Sequence, residues 1–136
     1  MNKYIFKAIL DKFNASTALK AAMTGGLYLA EYPQQHTQLD VYPYCVVIPV
    51  SGVAEYTFTE KADNNLVQFS IWDDAESVSG ISDVADLLIA AFDISSLTVT
   101  GFNHISMLRE YTELIREDEE YWHYAITYRL EIQKAR

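Results

Sequence analysis

The side chains most often used for catalysis are few and widely separated in this chain. The three histidines, His36, His104 and His123, are far apart in sequence and fall on different predicted elements. The single cysteine, Cys45, lies in an apolar stretch, where a thiol behaves as a small hydrophobic side chain. We therefore predict no catalytic residue. The alternative that stays open is an enzyme in which His104 or His123 is the acid–base residue.

An acidic loop contains Asp73, Asp74 and Glu76 and raises the question of calcium. An EF-hand needs oxygen ligands at alternate positions around a central glycine, and Gly80 comes too late for that role. A simpler explanation is that these carboxylates lie near the N-terminus of the following helix, where the helix macrodipole stabilises negative charge. The chain also lacks a glycine-rich phosphate loop with its lysine. We predict neither a metal nor a cofactor.

Negative charge is concentrated in the second half of the chain. The net charge is -9; residues 1–68 contribute -1 and residues 69–136 contribute -8. This balance argues against a reader of duplex DNA, which neutralises phosphates with Lys and Arg. A second acidic turn, Glu117-Asp118-Glu119-Glu120, adds to the asymmetry. The sequence therefore predicts one acidic surface, which is either a solvated face or a functional one.

The elements that would position these groups are clearest between residues 66 and 92. Val67, Phe69 and Ile71 alternate with polar residues, which is the period of a half-buried strand. The residues that follow recur with helical period and predict a helix packed on that strand: Ile81, Val84, Ala85, Leu88, Ile89 and Phe92.

The other predicted elements give a small α+β domain. An apolar stripe predicts a helix over residues 3–13, and Ser16 is a candidate N-cap for a short second helix. The turn-forming residues 61–65 predict an antiparallel hairpin of strands 53–59 and 66–72, which we expect to project. The remaining predicted strands are 27–32, 43–48, 97–100, 105–115 and 122–132, with a polar loop over 33–42 and a bulge or edge at Pro49.

The bulk properties bound the class of protein. A chain of 136 residues without a linker predicts a single domain, 1–136. One cysteine cannot form an internal disulfide, and neither a signal-peptide pattern nor an apolar run of membrane-spanning length occurs. We therefore expect a protein that is cytoplasmic when made and does not enter a membrane.

Three segments in this order resemble a known family. They are GGLYLAEYP (25–33), YPYCVVI (42–48) and VQFSIW (67–72), followed by a helix, a short strand and two long strands. Together they resemble the tail-completion proteins of long-tailed bacteriophages, the tail-terminator and head-to-tail-joining family. The resemblance covers roughly residues 4–132, although none of the segments is a catalytic signature.

The resemblance implies both a fold and an assembly. The expected fold is α+β: an antiparallel β-sheet with an N-terminal helix and a central helix packed on one face, plus a projecting β-hairpin. It implies a structural virion protein of the tail or neck, made in the host cytoplasm, whose copies form a ring that is usually six-fold. That ring would cap the head-proximal end of the tail tube, end tube polymerisation and join the tail to the head connector. The expected partners are other copies, the tail tube protein and a connector or stopper protein.

Two other readings of the function stay open beside this one. The chain could be another neck or connector (stopper) protein of the particle, or a small non-enzymatic binding module. DNA would pass through the ring as cargo without specific binding.

Two groups of residues are candidates for the assembly. The subunit-interface candidates lie on the predicted hairpin: Tyr56, Phe58 and Lys61. The candidates for an acidic channel lining come from the two acidic turns: Glu117, Asp118, Glu119, Glu120, Asp73, Asp74 and Glu76. An acidic lining would repel DNA and let it slide, whereas a basic lining would bind it, since duplex DNA carries about one charge per 1.7 Å.

Overall fold

The computed structural model describes residues 3–29, 42–56, 61–75, 77–93, 97, 99–117 and 121–134, without the side chains of residues 3, 51–56, 61–65, 102–106, 133 and 134. The predicted loop 33–42 lies outside the described residues except for Tyr42. The elements are α1 (Lys3–Ala15), α2 (Thr17–Ala22), β1 (Leu27–Leu29), β2 (Tyr44–Tyr56), β3 (Lys61–Asp73), α3 (Val78–Phe92), β4 (Phe102–Glu117) and β5 (Tyr121–Lys134).

The five strands form one mixed sheet in the order β1-β2-β3-β5-β4. The pairs β2–β3, β3–β5 and β5–β4 are antiparallel, whereas β1 pairs with β2 in parallel, with Leu27 opposite Cys45. The α+β class is confirmed, but the purely antiparallel sheet is not. β2 is parallel to β1 because it enters the sheet at the end where β1 begins, and not at the end where β1 stops.

The core lies between the helices and one face of this sheet. Val67, Phe69 and Ile71 of β3 are fully buried, which confirms the predicted sidedness of the strand. The Phe69 ring lies 4.9 Å from that of Phe92 in α3 and 5.8 Å from that of Tyr128 in β5, in an edge-on arrangement. The predicted stripe of α3 faces the same core, as do the apolar residues of α1. In the described residues the opposite face of the sheet carries no helix.

The β2–β3 hairpin is present, but its turn lies elsewhere than predicted. Lys61 is paired with Tyr56, so the connection is 57–60 and the predicted turn 61–65 is part of β3. As a consequence, residues 66–72 pair with 44–51 and not with 53–59. The polar residues of 61–65 stay extended because the strand is also paired with β5 as far as Ala62 and Gln133. The register shifts between Pro49 and Ser51, which confirms the predicted irregularity.

The second half of the chain forms the long strand pair that the sequence predicts. β4 and β5 pair from Phe102 and Lys134 to Glu117 and Tyr121, with register shifts after His104 and Arg109. Leu97, Val99 and Thr100 are not in a strand, so the predicted strand 97–100 is wrong at these positions. Leu97 and Val99 are nevertheless buried, and their side chains belong to the core.

The start of α2 differs from the prediction in one detail. Ser16 stands at the N-cap, but its side chain makes no capping hydrogen bond. Its hydroxyl donates instead to the backbone oxygen of Lys12 at 2.9 Å, so it closes the end of α1. After α2 the chain turns at Gly26, whose φ of 89° suits glycine.

Candidate assembly surface

The open face of the sheet carries an aromatic cluster at one end. Tyr44 lies opposite Trp72 in β3, and Trp72 lies opposite His123 in β5, so these three side chains share one face. Trp72 and His123 stack with ring centroids 4.1 Å apart and planes at 5°. Tyr42 joins them, 5.4 Å from Tyr44 between ring centroids. We call Tyr42, Tyr44, Trp72, Tyr121 and His123 the aromatic cluster.

A shallow apolar cleft opens within this cluster. Tyr42, Tyr44, Trp72 and Tyr121 line it, and its volume is about 160 Å³. The ring centroids of Tyr42 and Tyr121 lie 5.9 Å apart, so the first residue of β5 lines the cleft beside Tyr42. Aromatic side chains that are partly exposed supply large contact area at low entropic cost and are enriched at protein interfaces. Sequence reasoning did not place these residues together.

The described residues of the two acidic turns lie at the same end of the sheet. Arg116 joins them: its Nη1 donates to the Ala75 backbone oxygen at 3.3 Å. The guanidinium carbon also lies 4.7 Å from the centre of the Trp122 ring, within cation–π distance. The loop after β3 and the end of β4 are thereby held against each other.

The acidic candidates of the first turn differ in exposure. Asp73 is 6% exposed, and its Oδ1 accepts from the Ala75 backbone nitrogen at 3.4 Å. A Cβ added at Gly80 would lie 3.4 Å from Asp73 Oδ2, so this carboxylate lies against the first turn of α3, where the helix dipole favours it. Asp74 is exposed, and Glu76 lies outside the described residues.

The second acidic turn is described only at its first residue. Glu117 is half-buried, and its Oε1 lies 3.3 Å from Nδ1 of His123. The contact ties the acidic turn to the aromatic cluster. Asp118, Glu119 and Glu120 lie outside the described residues.

The hairpin candidates are placed by backbone only. Tyr56 and Lys61 are the last paired residues of β2 and β3, so they flank the hairpin connection. Their side chains and the whole of Phe58 lie outside the described part of the structure.

The residues considered for chemistry are not brought together. Cys45 is fully buried, and burial raises the pKa of its thiol, which disfavours the thiolate. Of the histidines, His123 belongs to the aromatic cluster, His104 is described only as backbone in β4, and His36 lies outside the description. Within the described residues, no group of three His, Cys, Asp or Glu side chains is placed to hold a metal ion.

A partly exposed ion pair that sequence reasoning missed lies where α3 meets the sheet. Asp93 follows α3, and its Oδ1 lies 3.6 Å from Arg109 Nε of β4. The buried hydroxyl of Tyr128 is close enough to feel this carboxylate: burial first, and the charge of Asp93 second, raise the pKa of Tyr128. The ion pair links the end of α3 to β4. No local sequence pattern joins three residues so far apart.

The fold and the surface define an α+β subunit whose sheet is covered on one side and carries an aromatic cluster on the other. Residues 7–133 match the family model described as tail completion protein gp17. The chain belongs to this family, and it is a structural protein of the virion tail. The resemblance read from the sequence is thereby confirmed.

A solved structure supports the fold independently. A chain from the virion of a native gene transfer agent particle superposes with a TM-score of 0.80, at 15% sequence identity, over 93% of this chain and 92% of that chain. At this identity the likeness concerns the fold. A search among curated proteins found no match. None of the helices in the described part of the chain is long and apolar enough to span a membrane.

Proposed function

We propose that copies of this chain form a ring, with six subunits, at the head-proximal end of the tail tube. The ring ends polymerisation of the tube protein and joins the tail to the head connector. The observation that carries the proposal is the match of residues 7–133 to the tail completion family. The superposition on a virion chain over nearly its full length supports it at the level of fold.

A ring follows from what the function demands of the subunit. A tube end is a circular surface, and one small domain cannot cover it while leaving a channel open. Repeated head-to-tail contacts generate a closed ring when the rotation between copies closes. A subunit of this kind needs one surface for its neighbour and others for the tube and the connector. The aromatic cluster and the hairpin supply partly exposed or extended surface for such contacts.

The hairpin candidates keep their role in this proposal. Tyr56, Phe58 and Lys61 would contact the neighbouring subunit, because Tyr56 and Lys61 stand at the end of the β2–β3 pair and Phe58 lies between them in sequence. The backbone pairing of Tyr56 with Lys61 supports a hairpin that extends to this point.

The acidic end of the sheet would face the channel. Glu117, Asp118, Glu119 and Glu120 form the lining, and Asp74 adds to it from the adjacent loop. The Arg116 contact supports the grouping, because it holds the two turns together. Asp73 is the weakest candidate, since a lining carboxylate must face the channel and this one is buried in the subunit. DNA would pass as cargo, repelled by the wall.

The decisive experiment removes the chain from an otherwise complete phage. A nonsense mutation in its gene should give tails of irregular length that are not joined to heads, while the chain supplied in trans restores complete particles. Electron microscopy of restored particles should show this fold as a closed ring between tube and connector. Tails of normal length in the mutant would exclude a terminator. A ring that contacts only the head side would favour the stopper reading instead.

A further inference from the structure

The outer strand β4 is unusually exposed for a strand of a folded subunit. All residues from 108 to 114 are exposed. The exposed fractions of Leu108, Tyr111 and Leu114 are 47%, 55% and 40%. Leu108 and Tyr111 lie on the open face and Leu114 on the helix side, because their partners on β5 do so. At this point β4 is therefore open on both faces.

The free edge of β4 adds a third open side. β4 is last in the strand order, and no described strand pairs with its outer edge. Ordering a strand costs conformational entropy, and this segment buries little apolar surface to offset that cost. Isolated folded proteins protect an edge by shortening it, by bulges, or by placing Pro or charged side chains on it. β4 has 16 residues and contains no Pro, although five of its residues between Arg109 and Glu117 are charged. Its two irregularities lie before Tyr111, so the segment 111–117 pairs regularly with β5.

The sheet has a second free edge, on β2. β1 covers only Cys45, Val46 and Val47, and none of the described residues pairs with the outer edge of β2 from Ile48 to Tyr56. Ile48 and Val50 are exposed on this segment. Among the described strands, the sheet thus has two unpaired edges, one on each side.

The hydrogen-bonding direction of both edges follows from one contact. The Cys45 backbone nitrogen donates at 2.9 Å to the backbone oxygen of Gly26, the residue directly before β1. Because peptide groups alternate in direction along paired strands, the registers then direct the peptide groups of Thr112 and Leu114 away from β5. The same alternation directs those of Gly52 and Ala54 away from β3. Both edges therefore offer regularly spaced donors and acceptors.

We propose that β4 of one copy pairs with β2 of the next copy, so that a continuous sheet runs around the ring. This inference rests on the ring of the proposed function. β2 and β5 run in one direction and β3 and β4 in the other, so copies in the same orientation bring β4 against β2 in the antiparallel sense. A second copy is the occupant because it carries the complementary edge and repeats the contact head to tail.

The two edges are offset along the strands, as a closed sheet requires. Ala54 stands at the level of Ile132 on β5 and Leu114 at the level of Tyr124, which are eight residues apart. At about 3.3 Å per residue, neighbouring copies would be staggered by about 26 Å. Strands of a sheet that closes around an axis must be tilted and staggered in this way. With this stagger, β4 of the neighbouring copy meets β2 beyond the three residues that β1 covers.

Paired cysteines test the contact in particles. Glu113→Cys is combined with Val53→Cys or with Glu55→Cys, one pair at a time. These positions fall between the outward peptide groups, where antiparallel partners approach to about 4.5 Å between Cα atoms, close enough for a disulfide. Oxidised particles should give dimers and higher multiples of the chain on a non-reducing gel. Glu113→Cys alone, and Asp83→Cys on the exposed side of α3 paired with Glu55→Cys, should give none.

A proline variant tests the edge itself. Thr112→Pro removes a donor that faces away from β5, so the β4–β5 ladder keeps its bonds. It should unfold at the same temperature as the matched variant Thr112→Ala but lose closed rings. If Thr112→Pro fails to fold, the cysteine pairs decide. Closed rings without any cross-link would overturn this inference alone, whereas normal tails in the absence of the chain would overturn the proposed function.

Discussion

Arg116 and Ala75 are 41 residues apart in sequence, yet the Arg116 Nη1 donates to the Ala75 backbone oxygen at 3.3 Å. The same guanidinium covers the face of the Trp122 ring. One side chain therefore holds the loop after β3 against the end of β4. This cation contacts both the loop after β3 and the Trp122 ring of β5 at the acidic end of the sheet.

Removing this side chain should loosen the acidic end of the sheet. We expect Arg116→Ala to lower the free energy of unfolding by about 1 kcal/mol, because the side chain is exposed and cation–π contacts at exposed sites are worth about 0.5–1 kcal/mol. Arg116→Lys is the matched variant: it keeps the charge but loses the planar group that stacks and donates. Urea denaturation measures both. Wild-type stability in the lysine variant would show that charge alone matters.

Reversing the charge of the second acidic turn should slow passage of the genome. Lysine in place of Glu117, Asp118, Glu119 and Glu120 would attract DNA to the wall, most strongly at low salt, where screening is weakest. The rate of genome ejection is measured on particles that still assemble. The matched control carries Gln or Asn at the same positions, and its ejection rate should fall between those of the wild type and the lysine variant. Unchanged ejection at low salt would remove these residues from the channel.

The thiol of Cys45 should be inert in the folded protein. Its burial raises its pKa and shields it, so alkylation at pH 8 should be slow in native protein and fast in urea. Cys45→Ser should lower the free energy of unfolding by about 1–3 kcal/mol, because a hydroxyl is buried in an apolar strand. Cys45→Ala tests the loss of packing alone. Both variants should leave assembly intact, and rapid labelling of the native thiol would contradict the structural role.

Tyr128 should make stability depend on alkaline pH. Burial and the nearby Asp93 charge raise the pKa of its hydroxyl, so the unfolded chain releases this proton at lower pH than the folded one. The contribution of protonated Tyr128 to the free energy of unfolding is complete below about pH 10 and is lost as pH rises further. We expect Tyr128→Phe to be within about 1 kcal/mol of wild type at pH 7, since the hydroxyl oxygen has no hydrogen-bond partner in the described structure.

The measurement is the difference in unfolding free energy between the two proteins at pH 7 and pH 11. The other tyrosines are common to both proteins and cancel in that difference, which should move in favour of Tyr128→Phe at high pH. Parallel curves would show that Tyr128 ionises normally in the folded state.

Local patterns in the sequence determined which face of several strands and helices is buried. The alternation of Val67, Phe69 and Ile71, and the helical stripe that ends at Phe92, specify which residues are buried because strand and helix periods are properties of neighbouring residues. The strand 122–132 was equally predictable. Local composition misled at 61–65, where turn-forming residues are held extended by strands on both sides.

Tertiary structure alone decided what the subunit presents to its partners. The stack of Trp72 on His123 exists because β3 lies beside β5. The Arg116 contact exists because the loop after β3 and the end of β4 lie at the same end of the sheet. The same holds for the free edges of β4 and β2, which depend on strand order. Which strands become neighbours is set by the burial of the whole sheet against the helices, a sum over distant residues that no short window of sequence contains.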